Sequence, residues 1–169
     1  MIHIVFDTDI LSTFAKADAI RYLERLFYED KLLITPAVYS ELKVPKEYGY
    51  NFPDLVFNSD RFQLARLTDT EVGEFKSNLM HLRTLHSGEI EAITIAKRRS
   101  YVFSSKDAKA LEYAVSREVE VLHLHTILRA LWRFGVLTKK EVKELVNVME
   151  QEDNMVIKNK DMIFEPEGE

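Results

Sequence analysis

No cysteine occurs in this chain, which excludes disulfides, thiolate metal sites and thiol nucleophiles together. Five glycines and four prolines among 169 residues are too few for a collagenous, linker-like or low-complexity protein. No apolar run approaches the roughly twenty residues of a membrane-spanning helix, and the first residues lack the basic and apolar segments of a secretory leader. The expectation is a soluble, cytoplasmic protein with no membrane partner. Positive charge is also not in excess, since 23 Lys and Arg against 28 Asp and Glu leave a net charge of −5. That balance argues against salt-driven binding along a duplex. It leaves room for an enzyme that holds one strand through a metal and a local basic rim.

What is present is ordinary core material, with 46% hydrophobic and 11% aromatic residues, enough for one domain with a sizeable core. The expected division is a single domain over 1–150 and a polar tail over 151–169, mobile or pinned as an edge around the patch Met162-Ile163-Phe164.

The opening run Ile2-His3-Ile4-Val5-Phe6 reads as a strand buried on both faces of a parallel sheet. It ends abruptly in Asp7-Thr8-Asp9. A bare carboxylate costs several kcal/mol to bury (an order-of-magnitude figure), and open α/β sheets bind ligands at the carboxyl ends of their strands. Asp9 to Lys16 is a short turn or helix, and Asp18 is placed as the cap of the next helix. Lys31 to Ile34 is a second strand. Thr35-Pro36 carries the N-cap and first-position signals of a helix that should stop before Pro45. Residues 44–61 read as an irregular or weakly helical insertion with scattered aromatics.

Beyond it, Phe62 to Leu67 is an edge strand, and Thr68 with Glu71 forms a capping box opening a helix to about Arg83. Ser87-Gly88-Glu89 opens another through Ala96. Tyr101 to Phe103 and Val119 to Leu122 are strands separated by a helix over 108–116. Thr126 to Phe134 is a helix closed by Gly135, and Thr138 with Glu141 caps one to about Glu150. Strands alternating with helices predict a mainly parallel sheet of four to five strands, covered on both faces.

Four acids break this pattern. Asp7 follows a buried strand, and Asp107 ends another at what should be the same edge. Glu41 shares a helix side with Val38, and Glu89 shares one with Ala92, Ile93 and Ala96. Taken singly, Asp7 reads as a cap, Glu89 and Asp107 as first-turn acids and Glu41 as a side chain snorkelling to water; a right-handed winding brings all four to one rim. Clustered acids repel unless a cation neutralises them, and a donor set without cysteine or paired histidines suits Mg²⁺ or Mn²⁺. Glu91, about 200° round the helix from Glu89, should face solvent. Asp9 is given a supporting role, and His81, His86, His123 and His125 are given none.

Phe-Asp7-Thr8-Asp9-Ile-Leu11-Ser12, Thr35-Pro36-Ala-Val38-Tyr-Ser-Glu41-Leu42, Gly88-Glu89-Ile-Glu-Ala92-Ile-Thr-Ile-Ala96 and Ser105-Lys106-Asp107 resemble, in order and spacing, the motifs of PIN-domain nucleases, which include VapC-type toxins. The resemblance covers about residues 1–125, and Thr126 to Met149 is similar to the C-terminal helices of some archaeal and bacterial PIN proteins. It implies an α/β/α sandwich with Mg²⁺ or Mn²⁺ held by Asp7, Glu41, Glu89 and Asp107, and metal-dependent cleavage of single-stranded or structured RNA. Thr8 and Ser105 fall where the family places ligand-orienting hydroxyls. Many members have Asn where this chain has Asp9, Asp where it has Glu89, and Thr where it has Ser105; no acid is lost.

On this reading Asp7 and Asp107 are the most direct ligands, and Lys106 helps to hold phosphate. Lys43 and the run Lys97-Arg98-Arg99 are weaker candidates for an RNA rim, the run also fitting a solvated helix end. A small antitoxin and a second copy of the chain are the expected protein partners. Two other readings stand beside it. One is a non-catalytic PIN-like module in an RNA-processing or antitoxin complex. The other is a phosphatase of the haloacid dehalogenase type, on the strength of Asp7-Thr8-Asp9. The latter lacks the glycine after Asp9 and a downstream acidic pair, and leaves Glu41 and Glu89 unexplained.

Overall fold

The computed structural model describes residues 1–165. In chain order the elements are β1 (His3–Phe6), α1 (Thr8–Lys16), α2 (Ile20–Leu26), β2 (Lys31–Ile34), α3 (Pro36–Glu47), α4 (Asp54–Phe57), β3 (Phe62–Leu64) and α5 (Asp69–His81). They continue as α6 (Ser87–Arg99), β4 (Val102–Ser105), α7 (Ala108–Ser116), β5 (Val121–His123), α8 (Leu124–Arg133), α9 (Lys139–Glu152) and α10 (Asp161–Phe164). The five strands form one sheet in the order β3-β2-β1-β4-β5, with every neighbouring pair parallel.

Strand side chains alternate between the two faces, and two separate cores result. Ile4, Phe6, Leu32, Ile34 and Val102 meet α1, α2, α8 and α9 on one face. Val5, Leu33 and Phe103 meet α6 and α7 on the other. A three-layer α/β/α sandwich follows. The chain winds outward from β1 through β2 to β3, then returns to β4 beside β1. Order therefore reverses between β1 and β4, and at such a switch point the carboxyl ends of the strands leave a crevice.

Several local expectations need correction. Asp18 caps nothing; it adopts φ +54° in the connection, and α2 starts after Ala19 with no side-chain cap. Pro45 lies inside α3 rather than beyond it. A proline in a last turn forfeits one backbone bond without a following turn to break. Strand β3 ends at Leu64, three residues short of the expected limit. The expected tail is pinned rather than mobile over its described part, residues 153–165: Ile157 and Ile163 are buried in the first core, and Trp132 donates its indole N–H to the Ile163 carbonyl at 2.8 Å; residues 166–169 of that tail lie outside the described residues.

Candidate metal and active site

Asp7 leaves β1 at the reversal point and becomes the N-cap of α1, accepting from the Ile10 amide at 2.9 Å. Its own amide continues the β1–β4 pairing by donating to the Ser104 carbonyl. Across the crevice Asp107 caps α7, accepting from the Ala110 amide at 2.8 Å. Ser105 joins the two caps, since its hydroxyl donates to Asp7 and accepts from the Asp107 amide. The parallel pairing of Phe6 with Ser104 is what puts both aspartates on one rim.

Two glutamates arrive from helices on the β2 side and the second face. Glu41 on α3 accepts from the Thr8 hydroxyl, from the Ser87 hydroxyl at 3.2 Å and from the Gly88 amide at 3.0 Å. Position 88 is glycine for a steric reason: a Cβ there would stand 2.7 Å from Glu41 Oε2. Glu89 turns back onto the His86 amide at 2.9 Å, satisfying one free donor at the start of α6. Asp7, Thr8, Asp9, Glu41, His86 and Glu89 together line a polar cavity of about 290 Å³. Asp107 lies outside that lining but near enough to act electrostatically on Glu89.

The cavity is short of positive charge. Burial pushes the Asp7 carboxyl up to about 8, against the hydrogen bonds from Ser105 and Ile10, and the nearby charges of Asp9 and Glu89 push it the same way. Burial also raises Glu89, with Asp107 and Asp9 adding to the effect and the His86 amide and ring opposing it. Among the described residues, no three carboxylate, imidazole or thiol side chains converge as a ready-made ligand set. Each acid rests instead on its own hydroxyl or amide. The donor chemistry nevertheless fits a hard divalent cation: mostly carboxylates with a hydroxyl beside them, Asp7 and Glu89 raised by burial, and a cavity in front of them.

Residues placed on the rim by sequence alone divide in two. Thr8 and Ser105 reach Glu41 and Asp7, respectively. Lys106 turns away to Asp153 at 3.0 Å, and Lys43 stands 5.6 Å from the centre of the Tyr39 ring. The basic run closing α6 is bound to α5: Lys97 and Arg98 pair with Glu74, and Arg99 pairs with Glu71. Glu91 is not solvent-facing. It is 5% exposed and accepts from the Ala37 amide at 2.7 Å, because the start of α3 packs against α6. His86, given no role from the sequence, and Ser87 and Gly88, read there only as a helix start, also belong to the site; their only signal is their place at a helix start beside an acid.

A family model described as DUF3368: PIN domain matches residues 3–162. The chain belongs to the PIN-domain family. Among solved structures, one described as VapBC-1 from nontypeable Haemophilus influenzae superposes with a TM-score of 0.55 at 13% identity, covering 72% of this chain and 98% of that one. At that identity the likeness concerns the fold. No curated protein matches the chain.

Proposed function

We propose that this PIN-domain protein is a Mg²⁺- or Mn²⁺-dependent endoribonuclease. The observation that carries the reading is the meeting of Asp7, Asp9, Glu41 and Glu89 around one cavity at the switch point of the sheet, with Asp7 held far above the usual carboxylate range by burial. Asp7, Glu41, Glu89 and Asp107 would hold the cation. A cation held there would supply Lewis acidity toward a phosphate oxygen and lower the pKa of a bound water.

The chain's own groups do the rest. Ser105 fixes the orientation of Asp7 and couples it to the Asp107 turn. Thr8 and the Gly88 amide fix Glu41. Asp9, exposed at the cavity mouth, adds negative charge that favours cation entry. The role of toxin in a toxin–antitoxin pair, with a small antitoxin and a second copy of the chain as partners, accompanies this reading. It rests on the motif resemblance, and co-purification of a small protein with the expressed chain tests it.

The decisive experiment is cleavage of a mixed-sequence RNA with Mn²⁺, Mg²⁺ or EDTA. Cleavage should need the metal. Asp7→Asn should lower it by more than about a hundredfold, since even residues behind metal ligands typically contribute ten- to hundredfold. Calorimetry should show Mn²⁺ binding to the native chain and not to Asp7→Asn. Metal-independent cleavage, or full activity in the variant, rejects the assignment.

A further inference from the structure

A second pocket opens on the other side of α3 from Glu41, at the carboxyl ends of β2 and β3. It encloses about 470 Å³ and is lined by Tyr39, Phe57, Phe62, Ser40 and Arg66 among others. Tyr39 and Phe57 stand with ring centres 4.7 Å apart, and Tyr39 keeps 39% of its surface exposed. Lys43 lies over the Tyr39 ring on the helix surface, and Arg66 is exposed at the pocket edge. Phe57 and Phe62 pack partly against the first core, so Tyr39 is the aromatic left at the surface, between Lys43 and Arg66. Tyr39 and Ser40 face this pocket while Glu41, the next residue, faces the acid cavity. The two sites are therefore separated by the width of one helix, about 10 Å.

We propose that this pocket holds one unstacked base of a single-stranded RNA whose backbone crosses α3 to the acid cavity. This rests on the ribonuclease reading and adds to it a subsite for a base, on the far side of α3 from the acids. Aromatic faces accept any base by stacking, and flanking cations track the phosphates. Arg66 and Lys43 supply those cations in a chain whose net charge is −5. A base paired within a duplex cannot reach such a pocket, so a single strand or an unpaired loop is the matching substrate.

The test uses the full chain carrying Asp7→Asn, to prevent cleavage, and a short single-stranded oligoribonucleotide containing 2-aminopurine. Binding should quench the fluorescent base. Adding Tyr39→Ala should abolish the quench and weaken binding about tenfold to a hundredfold, with an unchanged melting curve. Arg66→Ala should weaken binding of every sequence alike and lower the salt slope by about one. Equal affinity with and without Tyr39, duplex binding as tight as single-strand binding, or no binding at all overturns the proposal. Cleavage by the native chain is scored apart. Metal-dependent cleavage insensitive to Tyr39→Ala removes the pocket and leaves the nuclease; quenched binding with no cleavage by the native chain removes the nuclease and leaves the pocket.

Discussion

Asp7 and Asp153 both reach α1, one at each end, and their surroundings are opposites. Asp153 accepts from Thr13 at 2.5 Å, Lys16 at 2.6 Å and Lys106 at 3.0 Å. Burial works against its charge, yet Lys16, Thr13 and Lys106 outweigh it and hold the carboxyl below its usual range. Asp7 is more deeply buried and meets a hydroxyl, an amide and the fields of two further acids, so its carboxyl rises instead. Asp153, like Glu71 with Arg99, comes with its cations built in. The acid at the switch point comes without them, and a charge deficit of that kind in a crevice points to an external cation.

The sharpest way to break this contrast is through pH. An aspartate raised from 3.8 to about 8 on folding means that the native state keeps a proton that the unfolded chain has released. Stability of the metal-free protein should therefore fall as pH rises from about 4 toward 8, by up to about 1.4 kcal/mol per unit for one such group. Asp7→Asn should flatten that slope and be the more stable protein at pH 7.5. Urea midpoints at several pH values between 5 and 7.5 measure it; equal slopes for the two proteins would mean that Asp7 is not short of charge.

Asp153→Ala should act in the other direction and less strongly. Its lowered carboxyl contributes stability above the unfolded value of 3.8, and that contribution fades as pH falls below it. Removing it leaves Lys16 and Lys106 unpaired, but both are partly exposed, at 32% and 23%. Solvent screening therefore limits the loss to about 1–2 kcal/mol. Thermal melts at pH 7 with and without the substitution check this. A loss as large as that of a core truncation would make Asp153 part of the fold's foundation rather than a clamp on α1.

The contrast also explains what could be read from the chain alone. Asp7 announced itself because a short apolar run stops at it, and Thr35 and Thr68 because N-cap signals lie within three residues of their partners; both are local patterns. Parallel order followed from the alternation of strands and helices. Asp153 and Lys106 are 47 residues apart in sequence, and no local pattern joins them, so the ion pair that occupies Lys106 is not legible in the chain. Glu91 failed for a related reason. Helical periodicity assumes one wet face, whereas every residue of α6 from Gly88 to Ala96 is buried. A helix enclosed on both sides hides its polar contacts from that rule.

A last substitution separates placement by backbone from placement by charge. Glu41 is positioned by the Gly88 amide and two hydroxyls, so its location depends on how closely α6 approaches α3. Gly88→Ala puts a methyl group where Glu41 Oε2 and Oε1 now lie, 2.7 and 2.9 Å from the new carbon. The carboxylate must swing off the amide. Alanine is favoured over glycine in helices by up to about 1 kcal/mol, which offsets only part of the lost hydrogen bond to a carboxylate, about 1.5–3 kcal/mol. Stability should hence fall by about 0.5–2 kcal/mol, while Mn²⁺ affinity and cleavage fall about tenfold or more. Paired calorimetric and thermal measurements decide it. Loss of fold without selective loss of metal would make Glu41 a strut between two helices, and unchanged metal affinity would remove it from the ligand set.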